Sequence, residues 1–75
     1  MRDLIEYVAQ SLVTKPEQVQ VIELEDNGVL VYQLQVAPED MGKVIGRQGR
    51  IANAIRSLLK VASVRQGRRA VLEIL

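Results

Sequence analysis

Between residues 43 and 51 the chain reads Lys-Val-Ile-Gly-Arg-Gln-Gly-Arg-Ile, and these residue types suit the holding of an anion. Gly46 and Gly49 bracket Arg47 and Gln48. Glycine permits backbone angles closed to other residues, and it lacks the Cβ that would keep a ligand's backbone at a distance. A turn that feeds straight into a helix brings unpaired N–H groups and the positive end of the helix dipole to one place. Lys43, Arg47 and Arg50 surround that place with fixed charge. The group this arrangement favours is phosphate. Glycines so spaced also occur as plain helix caps. Here apolar residues flank both sides at core spacing, and the local charge is wholly positive.

Other chemistries find little to work with. The chain has no His and no Cys, which removes the commonest general base and the thiol nucleophile. Its carboxylates are concentrated before residue 41, and no metal-ligand spacing is present. Ser11, Ser57 and Ser63 have no activating base nearby in sequence. The expectation is a protein that is not an enzyme, with no catalytic residue, metal, cofactor or small-molecule substrate.

The net charge of +1 conceals an uneven distribution. Residues 1–40 carry two basic and eight acidic side chains. Residues 41–75 carry eight basic ones (Lys43, Arg47, Arg50, Arg56, Lys60, Arg65, Arg68 and Arg69) and a single acid, Glu73. This gives balances of −6 and +7, an asymmetry suited to a polyanionic partner.

Those side chains must be positioned by elements that the apolar pattern shows. Leu4, Ile5, Val8, Ala9 and Leu12 recur at helical spacing, so a first helix should end near Thr14-Lys15-Pro16, because proline disfavours helix in the residue before it. Gln18 to Glu25 alternates as a strand does. Asn27-Gly28 is a tight hairpin signal, so an antiparallel strand from Val29 to Val36 should follow, with Leu30, Tyr32, Leu34 and Val36 on one face. Pro38 suits the first position of a helix, and Glu39 and Asp40 sit where the helix dipole favours negative charge. That short helix has an apolar stripe of Met41, Val44 and Ile45, and Gly46 ends it in a left-handed conformation. The next helix begins at Gly49 and buries Ile51, Ile55, Leu58, Leu59 and Ala62. Gln66-Gly67 interrupts the pattern, and Ala70 to Leu75 reads as a last strand. The order is α-β-β-α-α-β.

At 75 residues there is room for one domain, residues 1–75. No apolar run approaches the roughly 20 residues that span a bilayer, and the start lacks the features of a signal peptide. A cytoplasmic location is expected.

Val44-Ile45-Gly46-Arg47-Gln48-Gly49-Arg50-Ile51 resembles the V-I-G-x-x-G-x-x-I signature of KH domains. The element order is similar to that of the type II KH fold, an α+β architecture with a three-stranded mixed sheet packed against three helices. Met41 to Gly46 and Ala54 to Leu59 look like the small bacterial single-KH proteins of the KhpA (YlqC) family, and the likeness covers essentially the whole chain. The resemblance implies an RNA-binding protein acting in post-transcriptional regulation or as an RNA chaperone. It would clamp the backbone of about four nucleotides of single-stranded RNA. Gly46 and Gly49 would permit close approach, Arg47 and Gln48 contact phosphates, and Lys43 and Arg50 add charge at the rim. Ile45 and Ile51 would be either groove floor or ordinary core. The family often has a basic residue where this chain has Asn53. The resemblance also implies a homodimer, or pairing with a larger KH protein of the Jag (KhpB) type.

Aromatic residues are scarce, Tyr7 and Tyr32 alone, so affinity should rest on phosphate contacts more than on stacking. Arg65, Arg68 and Arg69 read as a solvated turn or as an extension of the RNA path, the turn being favoured. Ala54 and Val61 edge the apolar stripe of the long helix and mark a place for a second chain. The rival function is a KH-fold protein-interaction module that does not bind nucleic acid.

Overall fold

A computed structural model describes residues 1–75. Helix α1 spans Arg2–Leu12 and buries Ile5 and Ala9. It stops before Pro16: Val13 is extended, and a single 3-10 turn at Pro16–Gln18 takes the place of the expected strand start. Strand β1 therefore begins two residues later than its pattern suggests, at Gln20, and runs to Asp26. Asn27 and Gly28 both take positive φ, 53° and 81°, and return the chain antiparallel into β2, Val29–Gln35.

After β2 the chain crosses over through two helices. A 3-10 turn at Pro38–Asp40 leads into α2, Met41–Ile45, and a second at Arg47–Gly49 leads into α3, Arg50–Gln66. Gly67 caps α3 in a left-handed conformation, with its own N–H and that of Arg68 closing on Val64 and Ser63 carbonyls. Strand β3, Ala70–Ile74, then pairs parallel to β2, so the sheet is mixed and ordered β1-β2-β3.

All three helices contribute to one core on one face of this sheet. Tyr32, Leu34 and Val36 from the β2 segment, Val21 and Leu72 from its neighbours, Ile5 and Ala9, Val44, Ile55 and Leu59 make up that core. The alternation of β2 is as expected. The stripe of α3 is narrower than its pattern: Ala52, Ile55 and Leu59 are buried, whereas Leu58 is 47% exposed. On α1, likewise, Leu4 faces outward. Each helix packs on one side only, so the outermost apolar residues of a wide stripe stay wet.

Candidate nucleic-acid interface

The candidate interface is built on α2, five residues long and too short to be stable alone. Its start is held by Asp40, which is completely buried. The Thr14 N–H and hydroxyl donate to Asp40 Oδ1 at 3.1 and 2.9 Å, and the Lys15 N–H donates to Oδ2 at 3.1 Å. Burial alone would raise this carboxyl. The donors from Thr14 and Lys15, with Lys43 nearby, outweigh it and hold the group below the usual carboxylate range. The expected dipole role thus gives way to a specific one, which no local pattern in the sequence signals. Glu39 pairs instead with the Lys15 ammonium at 2.9 Å, which raises the lysine.

The end of α2 is held by Gly46. Its φ of 79° is positive as expected, but its ψ of 169° is extended rather than left-handed helical, a region that is essentially glycine's alone. A Cβ there would lie 2.7 Å from Ile51 Cγ1 and 2.9 Å from the Ile51 backbone nitrogen. The close approach that Gly46 permits is therefore to the protein's own chain. Gly49 differs. Its φ of 74° favours glycine, yet a Cβ would meet only Asn53 Nδ2 at 3.7 Å, so this side of the turn is open. Between them Gln48 also takes a positive φ, 58°, which its residue type does not predict. Gly49 caps α3 rather than starting it, one residue off the expected boundary.

Within the turn the Gly46, Gly49 and Arg50 N–H groups donate to the Gly42, Gly46 and Arg47 carbonyls. No side chain caps either helical start. The positive charge is uncommitted: Lys43, Arg47 and Arg50 are exposed and none forms a salt bridge. Of the basic residues beyond position 40, only Arg68 is paired, with Glu25 at 2.9 Å. That ion pair and the Gly67 cap give the last connection a structural role.

The two isoleucines separate. Ile51 is half-buried and packs on the core beneath Gly46, whereas Ile45 is 37% exposed beside the turn. The stripe assigned to α2 is corrected accordingly, with Val44 its buried residue. Tyr32 is sealed in the core, where burial and then Glu23 push its hydroxyl up to about 12. Tyr7 lies on α1. Neither aromatic belongs to α2, the turn or α3.

From the turn a line of side chains runs along α3. Asn53 lies by Gly49 and accepts from Arg56 Nη1 at 3.4 Å, and Arg56 opens onto a cleft of about 200 Å³ lined by Leu59, Ala70, Val71 and Leu72. One wall is a sheet edge. Leu30 donates to Arg69 and Leu75 to Leu34, so the parallel ladder uses the odd-numbered residues of β3. The backbone groups of Ala70 and Leu72 therefore point away from β2, toward the cleft side. A larger cleft of about 360 Å³, lined by Glu17, Gln18, Val19, Gln20 and Gln35, holds no cation and is ill suited to a polyanion. The sequence shows Arg56 as one of its basic residues but not its place beside the β3 edge, because register across a parallel pair is not written in either strand.

A mixed three-stranded sheet under three helices, with a Gly-x-x-Gly turn joining α2 to α3, is a KH domain in its type II arrangement. The fold is shared by a crystal structure of an Era tyrosine-to-alanine variant from Aquifex aeolicus bound to GDP and aluminium fluoride. The TM-score is 0.65 at 18% identity, over 97% of this chain and 28% of that one. The chain belongs to the KhpA/KhpB KH-domain family, whose sequence profile matches residues 2–74. It is similar to proteins named RNA-binding protein KhpA from Clostridium acetobutylicum, 52% identical, and Clostridium perfringens, 49% identical, over the full length of both chains in each case. The protein of that name from Aquifex aeolicus is 44% identical over all of this chain and 95% of its own. The family is non-enzymatic, its members being named for binding.

Proposed function

We propose that residues 1–75 act as one KH domain that binds single-stranded RNA, with the Gly46–Gly49 turn as a backbone clamp. The supporting observation is the cluster of unpaired cations, Lys43, Arg47 and Arg50, around a turn whose Arg47 and Gln48 N–H groups take no part in its internal hydrogen bonds. Arg47 and Gln48 contact phosphates, Gly49 keeps the outer side open, and Gly46 shapes the turn against Ile51. Exposed Ile45 supplies apolar surface to the bases, while Ile51 supports the floor from below. The strand continues past Asn53 and Arg56 toward the β3 edge. The relatives' printed name supports RNA as the ligand.

With two or three phosphates neutralised, the affinity should fall with salt at a logarithmic slope of about −1.4 to −2. The decisive variant is Arg47→Asp with Gln48→Asp. Loss of RNA crosslinking in a protein with unchanged circular dichroism supports the clamp, and undiminished crosslinking removes it.

The protein acts in the cytoplasm, in post-transcriptional regulation, as a homodimer or with a larger KH-containing chain of the KhpB type. The outer edge of α3 supports association: Ala54, Leu58, Val61 and Val64 are all exposed, with Val61 at 57% and Val64 at 75%. Two linked sites gain avidity without new contacts. Light scattering that shows a monomer at high concentration argues against the homodimer.

A further inference from the structure

Asp40 is the one charged side chain in the core, and the clamp described above makes no use of it. It occupies the position before α2, where a short carboxylate ordinarily turns back to cap its own helix. It makes no such bond. Both of its oxygens go instead to the α1–β1 connection, through three donors on Thr14 and Lys15. The helix that follows is five residues long, fixed at its far end by Gly46 against Ile51 and at its near end by this carboxylate. The Lys15–Glu39 pair runs alongside but is solvent-exposed, and exposed pairs hold geometry weakly. The placement of the turn thus depends on a segment 25 residues upstream.

We propose that Asp40 is a positioning residue for nucleic-acid binding: by gripping Thr14 and Lys15 it sets where α2 delivers the Gly46–Gly49 turn, without touching the ligand. The inference rests on the reading of that turn as the clamp. Only a carboxylate satisfies the site. An amide offers one acceptor oxygen and an NH₂, so asparagine sets a donor against a backbone donor.

The test compares Asp40→Asn, Thr14→Val and, as a control for lost stability, Val21→Ala, a core change on β1 away from the turn. Binding of a fluorescein-labelled single-stranded RNA of mixed sequence is read by anisotropy and corrected for the folded fraction. Asp40→Asn should weaken binding about tenfold, the loss of one charge-assisted phosphate contact. Thr14→Val keeps both backbone donors and should cost about threefold. Thr14→Ser, which keeps the hydroxyl, should restore the native value, and Val21→Ala should leave the affinity per folded molecule unchanged. In the free proteins the amide NMR signals of residues 46–50 should move in Asp40→Asn and Thr14→Val but not in Val21→Ala. If Asp40→Asn does not fold, Thr14→Val decides alone. Native affinity with unmoved signals in these variants overturns the positioning role. If Arg47→Asp with Gln48→Asp loses binding at the same time, the clamp survives that failure. If that double variant binds normally, the clamp itself is lost.

Discussion

At Asn27-Gly28 and at Gln48-Gly49 the backbone passes through two successive residues of positive φ, 53° and 81° in the first pair, 58° and 74° in the second. The hairpin uses the residues best suited to that path, because asparagine tolerates the left-handed region and glycine enters it freely. The turn between α2 and α3 uses glutamine, which does not. Gly28 is also surrounded by open space, whereas Gly46, at the entrance to the other turn, sits against Ile51. One turn is locally relaxed. The other is held by packing at a local cost, which fits the proposed role of a turn that presents a ligand surface rather than only reversing direction.

Substitutions probe that contrast, the largest effect coming at Gly46. Alanine there meets a forbidden backbone region and a collision with Ile51, which together should cost about 3 kcal/mol or more, read as a fall in the urea midpoint. A loss no larger than at Gly28 would show that the turn is not pinned by packing. Gly28→Ala meets only the positive φ, so about 1–2 kcal/mol should be lost, with RNA affinity per folded molecule unchanged. Gln48→Asn should stabilise the protein by roughly 0.5 kcal/mol, since asparagine suits the angle better while keeping an amide. A neutral or destabilising result would mean that the glutamine is not strained. A last difference is lost in acid. The lowered Asp40 carboxyl contributes stability that is fully present above the unfolded value of 3.8 and is lost as pH falls below it. Denaturant titrations between neutral pH and pH 2, with Asp40→Asn lacking part of the acid limb, check this at the turn that hangs from a buried charge.

Much of the fold was legible because it is local. The apolar spacing of α1 and α3, the Asn27-Gly28 hairpin and the alternation in β2 each depend on neighbours within a few residues. Gly46 and Gly49 could be picked out as special, and the positive φ of Gly46 with them, but not its close approach to Ile51. Ile45 and Leu58 carry core residue types at helical spacing, yet α2 and α3 turn them outward. What stayed hidden was non-local: the Asp40–Thr14 contact, the Arg68–Glu25 pair, and the outward-facing backbone of Ala70 and Leu72. Each depends on segments distant in the chain meeting at a particular register.

The order of the sheet also has an electrical consequence. The carboxylates of Glu23 and Asp26 lie along β1 at one margin with no ion-pair partner, while β3, at the opposite margin, borders the cleft beneath Arg56. Under the proposed reading of the turn as a clamp, a negatively charged strand diffusing in is repelled by the first margin and drawn to the second, so the molecule swings to present the cationic turn before contact. Such steering weakens as ions are added, because the Debye length contracts from about 10 Å at 0.1 M salt to about 3 Å at 1 M.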